Sequence, residues 1–143
     1  MFKKILVSVD GSPDSEKAVA LTCQLARLAG SRVVAVHGRD VPFVAPSGRP
    51  APPRVERWET EEDAQKILDG AVSELQEAGV KVSGRVLPGE GRIGYKILEA
   101  AEAEGADLIV LGSRGVSRVE EVLIGSVSHK VIHMAKCPVL LAR

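Results

Sequence analysis

Directly behind the apolar run Leu108-Ile109-Val110-Leu111 the chain carries Gly112-Ser113-Arg114-Gly115, and after nine intervening residues Gly125-Ser126-Val127-Ser128. Glycine lets a backbone approach an anion closely and take up positive φ, so that successive N–H groups converge into a concave nest. The second segment opens a helical pattern, whose unpaired first-turn N–H groups and positive dipole end favour a phosphate. Two anion-seeking elements thus flank one loop, and the spacing G-x2-G-x9-G-[S/T] points to phosphate binding. No Walker lysine follows, since Val116-Ser117-Arg118 stands where Gly-Lys-Ser/Thr would be. Arg114 and Arg118 either screen phosphate charge or lie on the surface. A bridging divalent ion such as Mg2+ is compatible with the charge, although no acidic cluster specifies one.

Other reactive residues give less. Fast phosphoryl transfer needs a positioned base, a metal clamp and charge stabilisation at the γ-phosphate. Glu120, Glu121 and His129 lie near the loop in sequence only, and charged residues on helical patterns are usually solvated. No catalytic residue is assigned, and efficient phosphoryl transfer is not expected. His129 and His133 have the i, i+4 spacing of helix-borne metal ligands, but without a third ligand or His-Glu-x-x-His no metal site is assigned. Ser126 in Gly-Ser-Val-Ser lacks the G-x-S-x-G elbow of an acyl-transfer serine. Gly89-Glu90-Gly91-Arg92-Ile93-Gly94 matches G-x-G-x-x-G, yet it follows the third strand pattern instead of the first; its other reading is a turn in which Glu90 favours the next helix start.

The surrounding pattern alternates strand and helix. Ile5–Val9 is a short apolar run suited to a buried parallel strand. Ser12 can cap a helix that has Pro13 at its first position, Asp14 and Glu16 in its first turn, Ala18, Leu21, Leu25 and Leu28 at helical spacing, and Gly30 as its stop. Val33–His37 is a second strand. Between Gly38 and Glu59 lie five of the eight prolines and little periodicity, which predicts a long mobile excursion within one domain spanning residues 1–143. A Thr60/Asp63 capping box opens a helix carrying Ala64, Ile67, Leu68, Ala71, Val72 and Leu75, ended by Gly79. An edge-like strand from Val80 to Val86 follows, then a helix with Ile93, Ile97, Leu98 and Ala101. The strand Leu108–Leu111, a helix over Ser126–Ala135 and a strand over Val139–Ala142 complete the pattern. Such alternation argues for an α/β fold, a doubly wound parallel sheet with right-handed crossovers.

The glycine spacing, together with Ile5-Leu6-Val7-Ser8-Val9-Asp10-Gly11-Ser12, Ala106-Asp107-Leu108 leading into it, and Cys137-Pro138-Val139-Leu140-Leu141, resembles the universal stress protein (UspA-like) family in its ATP-binding subgroup, over nearly the whole chain. The resemblance implies a five-stranded sheet of order 3-2-1-4-5, Rossmann-like and akin to adenine nucleotide alpha hydrolases. In that order Asp10-Gly11 and Gly112 leave neighbouring strands at the point where winding reverses, the ligand position of such sheets. The resemblance further implies ATP as ligand: Asp10 near the ribose; Gly112, Gly115, Gly125, Ser126 and Val127 at the triphosphate; Gly38 with its backbone at adenine. Ser8 and Val9 before Asp10, Arg114 in the loop and Ser128 in the helical start complete the candidate site. Ser8 departs from the proline of many relatives. Asp10 before Gly11 also reads as an Asx turn. A homodimer paired through Val139–Ala142, an edge strand with open backbone groups, is implied as well.

Composition removes other classes. Lys plus Arg and Asp plus Glu number 19 each, so no overall field draws nucleic acid or an anionic membrane. The only aromatic residues, Phe2, Phe43, Trp58 and Tyr95, offer no base-stacking platform. No apolar run reaches membrane-spanning length and no signal peptide is visible, so a cytoplasmic protein is expected. Cys23 and Cys137 lack C-x-x-C spacing and read as reduced thiols. Two functions fit: a nucleotide-dependent regulatory or stress-response module that binds ATP and whose state partners read, or a slow metal-dependent ATPase or phosphotransferase. A stress-family protein with an empty site is disfavoured by the intact glycine pattern.

Overall fold

The computed structural model describes residues 1–39, 59–89, 92–115 and 124–143. Strands β1 (Lys4–Ser8), β2 (Arg32–His37), β3 (Lys81–Val86), β4 (Leu108–Gly112) and β5 (Val139–Ala142) alternate with helices α1 (Pro13–Ala29), α2 (Glu61–Glu77), α3 (Ile93–Glu104) and α4 (Ser126–Met134). All strand pairs are parallel, in the order β3-β2-β1-β4-β5. The doubly wound sheet is therefore as expected, and its winding reverses between β1 and β4.

Within each uninterrupted apolar strand the faces still alternate. Ile5, Val7, Val33, Ala35, Leu108 and Val110 pack with α1 and α2, whereas Leu6, Val34, Val36, Ile109 and Leu111 pack with α3 and α4. β3 is an exposed edge, paired with β2 from Arg32↔Lys81 to His37↔Val86. At the amino ends of β1 and β4 a side chain acts as a clasp: the Asp107 carboxylate accepts the N–H groups of Lys3 (2.9 Å) and Lys4 (3.2 Å).

Helix boundaries follow the chemical signals. The Ser12 hydroxyl accepts the Ser15 N–H, Pro13 stands in the first turn, and Gly30 closes α1 in the left-handed conformation at φ 67. Thr60 and Asp63 make both bonds of a capping box. The inward face of α1 differs from the leucine stripe that the sequence suggests. Ala18, Val19, Thr22, Cys23 and Ala26 are buried, Leu21 and Leu25 are half-buried, and Leu28 is 86% exposed. Small residues let the helix lie close on the sheet, and the Thr22 hydroxyl is satisfied by the Ala18 carbonyl at 2.7 Å.

Most of the proline-rich segment, including Trp58, lies outside the described residues, as do Glu90 and Gly91, and Arg118, Glu120 and Glu121 beyond the glycine loop. Among the described residues, no helix is long and apolar enough to cross a membrane.

Candidate functional site

A cleft of about 420 Å³ opens where the carboxyl ends of β1, β2 and β4 meet the start of α4, a volume typical of small-molecule sites. It lies at the reversal between β1 and β4, where ligands bind in doubly wound sheets. Ser8, Val9 and Asp10 come from the β1 exit and Gly38 from the β2 exit. Gly112, Arg114 and Gly115 line it from the β4 exit, and Gly125, Ser126, Val127 and Ser128 from α4. The eleven residues assigned to the candidate site are thus brought to one cavity, whereas His129 and His133 do not line it.

The phosphate side is built from backbone. Gly125 is the N-cap of α4 in an extended conformation (φ −69, ψ 161), its N–H donates to the Ser113 carbonyl at 2.7 Å, and among the described residues no side chain caps the helix. The first-turn N–H groups and the positive dipole end therefore face the cleft. Ser128 is buried, and its hydroxyl donates to the Gly112 carbonyl (2.7 Å), which pins α4 to the end of β4. Ser126 is exposed at the rim.

The three loop glycines do not use positive φ, contrary to one reason for expecting glycine there. Close approach explains two of them. A Cβ on Gly112 would stand 2.9 Å from Asp14 C, Asp14 Cβ and Ser15 N in the first turn of α1. A Cβ on Gly115 would stand 3.0 Å from Asp10 Oδ2. Gly112 thus serves packing of β4 against α1, while Gly115 keeps the chain against the Asp10 carboxylate. At Gly125 a Cβ finds ordinary contacts of 3.5 Å and more.

Asp10 has two roles in the geometry. Its Oδ1 accepts the Ser12 N–H at 2.9 Å, the Asx turn that its sequence context allowed, and its own N–H donates to Ser15 Oγ at 3.0 Å. Its other oxygen lies close against Gly115. Arg114 is drawn partly toward the buried Asp14, with Nε 3.9 Å from Oδ2, where the Ser113 hydroxyl also donates at 3.0 Å. Open N–H groups at the α4 start together with the Asp10 carboxylate in the same cleft fit a phosphorylated ligand bearing hydroxyl groups.

Sequence reading missed Ser15, His37, Glu59, Ile93 and Leu111. His37 is 2% exposed and stands at the cleft floor. Nδ1 lies 2.6 Å from the Val9 carbonyl, which can only accept, so Nδ1 carries a hydrogen; Nε2 meets the Glu59 carboxylate. This links the exits of β1 and β2 to the residue before the α2 cap, and Arg39 adds a bond to the Glu59 carbonyl at 3.2 Å. The one available signal was a polar residue ending an apolar strand next to Gly38. Ile93, the first residue of α3, fills the space over Gly38, where an added Cβ would meet Ile93 Cγ2 at 2.9 Å. The G-x-G-x-x-G stretch does follow an edge strand, yet the crossover brings its helix to the cleft. Among the described residues no group of three or more His, Cys, Asp or Glu could hold a metal ion.

The universal stress protein family model matches residues 1–143. Universal stress protein YxiE of Bacillus subtilis is 36% identical over 150 aligned positions, covering all of both chains. A universal stress protein of Thermus aquaticus is 37% identical, again over both whole chains. Among solved structures, the universal stress protein of Archaeoglobus fulgidus in complex with dAMP aligns with a TM-score of 0.72 at 25% identity, covering 99% of this chain and 98% of its own.

Proposed function

Since the chain belongs to the universal stress protein family, we propose that it is an adenine-nucleotide-binding regulatory module whose ligand is ATP. The observation that carries this reading is that the N-terminus of α4 and Asp10 line one cleft at the sheet's reversal point. In this reading the N–H groups of Gly115, Ser126 and Val127 hold phosphates, the outer oxygen of Asp10 accepts ribose hydroxyls, and the Gly38 backbone meets adenine below Ile93. The dAMP complex of the Archaeoglobus relative supports the adenine nucleotide class. Mg2+ would be held through the phosphates, because among the described residues no group of three or more His, Cys, Asp or Glu could hold a metal ion. Asp10, His37 and Glu59 are each engaged in hydrogen bonds, so no turnover step is assigned to them.

Equilibrium titration of the chain with ATP, ADP and AMP tests the proposal, with Asp10→Asn as the informative variant. Asparagine keeps the acceptor for the Ser12 N–H but removes the charge. Loss of a charge-assisted bond of about 1.5–3 kcal/mol weakens a ribonucleotide by roughly 10- to 150-fold. Absence of saturable binding by any adenine nucleotide would end the proposal.

The same reading includes a homodimer through β5. That strand is a sheet edge whose Val139, Leu140 and Leu141 stay half-buried, and an open apolar edge invites pairing. Sedimentation of Leu140→Lys against the parent chain tests it: the parent should sediment as a dimer and the variant as a monomer. Cytoplasmic residence is part of the reading, in keeping with two free thiols.

A further inference from the structure

We propose that His129 and His133 form a chelating site for a borderline divalent transition-metal ion, Cu2+, Ni2+ or Zn2+, on the outer face of α4. Both side chains are exposed, and their Nε2 atoms stand 3.1 Å apart with ring planes at 73°. The helix sets this arrangement, because residues four apart lie one above the other on one face. An ion about 2.0–2.1 Å from each nitrogen would subtend an angle of about 95–100° between them, intermediate between square-planar and tetrahedral bites. The rings need only present both lone pairs, one by a change of tautomer, and water completes the coordination sphere. The surrounding cations turn elsewhere: Lys130 donates to Tyr95 (3.3 Å) and Lys136 to Glu102 (2.8 Å). His133 lies in the last turn of α4, where the helix dipole favours positive charge. The site is separate from the nucleotide cleft, which neither histidine lines, so it stands whether or not ATP binds.

The test is calorimetric titration of the tag-free full chain with CuCl2, NiCl2 and ZnCl2, together with Cu2+ electron paramagnetic resonance. Expected are one bound ion, two nitrogen donors in the spectrum, tightest binding for Cu2+, and competition by protons. His129→Ala and His133→Ala each remove the chelate and weaken binding on the order of 100-fold, without changing the metal-free melting temperature, since both side chains are exposed. No saturable binding at millimolar metal, binding that survives either histidine variant, or binding that disappears in Cys137→Ser or Cys23→Ser would each overturn the proposal.

Discussion

At Gly125 a single position separates helix stability from ligand capture. Its φ and ψ are those of an ordinary N-cap, and a Cβ has room, so serine and alanine both fit. In Gly125→Ser the hydroxyl can accept the N–H of Val127 or Ser128, whereas Gly125→Ala leaves those groups open. The serine variant should exceed the alanine variant by about 0.5–2 kcal/mol in stability, or about 2–7 °C in Tm for a chain of this length. A phosphate that uses the same N–H groups must first displace the hydroxyl, so the capping free energy reappears as lost affinity. The serine variant should therefore bind ATP about 2- to 30-fold more weakly than the alanine variant. Scanning calorimetry without ligand and titration calorimetry with ATP give the two quantities on the same proteins. A higher Tm for serine with equal affinities would show that the α4 N-terminus does not hold the ligand.

Other consequences follow from the contacts. Gly112→Ala drives a methyl into the first turn of α1, and overpacking of about 1–3 kcal/mol should lower Tm by about 3–10 °C without any ligand present. Tyr95 is the sole tyrosine; its hydrogen bond from Lys130, then the charges of Lys130 and Arg92, lower its phenol pKa. Phenolate absorbance should accordingly appear at lower pH than for a free tyrosine and move back up in Lys130→Met. Burial raises the thiol pKa of Cys23 and Cys137, with Glu74 and Asp107 adding to it in turn. The folded thiols thus ionise later than unfolded ones, so their contribution to stability is complete below the unfolded thiol range and is lost as pH climbs through the folded values. Alkaline denaturation midpoints should rise in Cys23→Ala relative to its own stability at neutral pH, and alkylation of both thiols at neutral pH should be slower than that of a small free thiol.

Strand and helix limits were legible because local chemistry fixes them: Ser12 and Pro13, the Thr60/Asp63 box, and Gly30 act within a few residues of themselves. The face of α1 was legible only at Ala18, because leucines dominate a hydrophobic pattern while close packing on a sheet selects small residues such as Val19 and Ala26 as well. The loop glycines show the same limit. Their spacing located the cleft, but the reason for Gly112 resides in Asp14, about a hundred residues away in the chain and 2.9 Å from its missing Cβ. His37, Glu59 and Ile93 escaped notice since each reaches the cavity through tertiary placement: a strand end, a residue before a helix cap, and a crossover helix. At Asp10 the Asx-turn reading of Asp-Gly was legible because it closes within two residues, through the Ser12 N–H on Oδ1.

The Asp107 clasp on Lys3 and Lys4 lies at the far pole of β1 and β4 from the cleft. Anchorage and recognition therefore occupy opposite tips of the same two strands. Descendants of this sequence can rewrite the rim that meets solutes, exchanging one guest for another, while the distant fastening keeps the central strands in register.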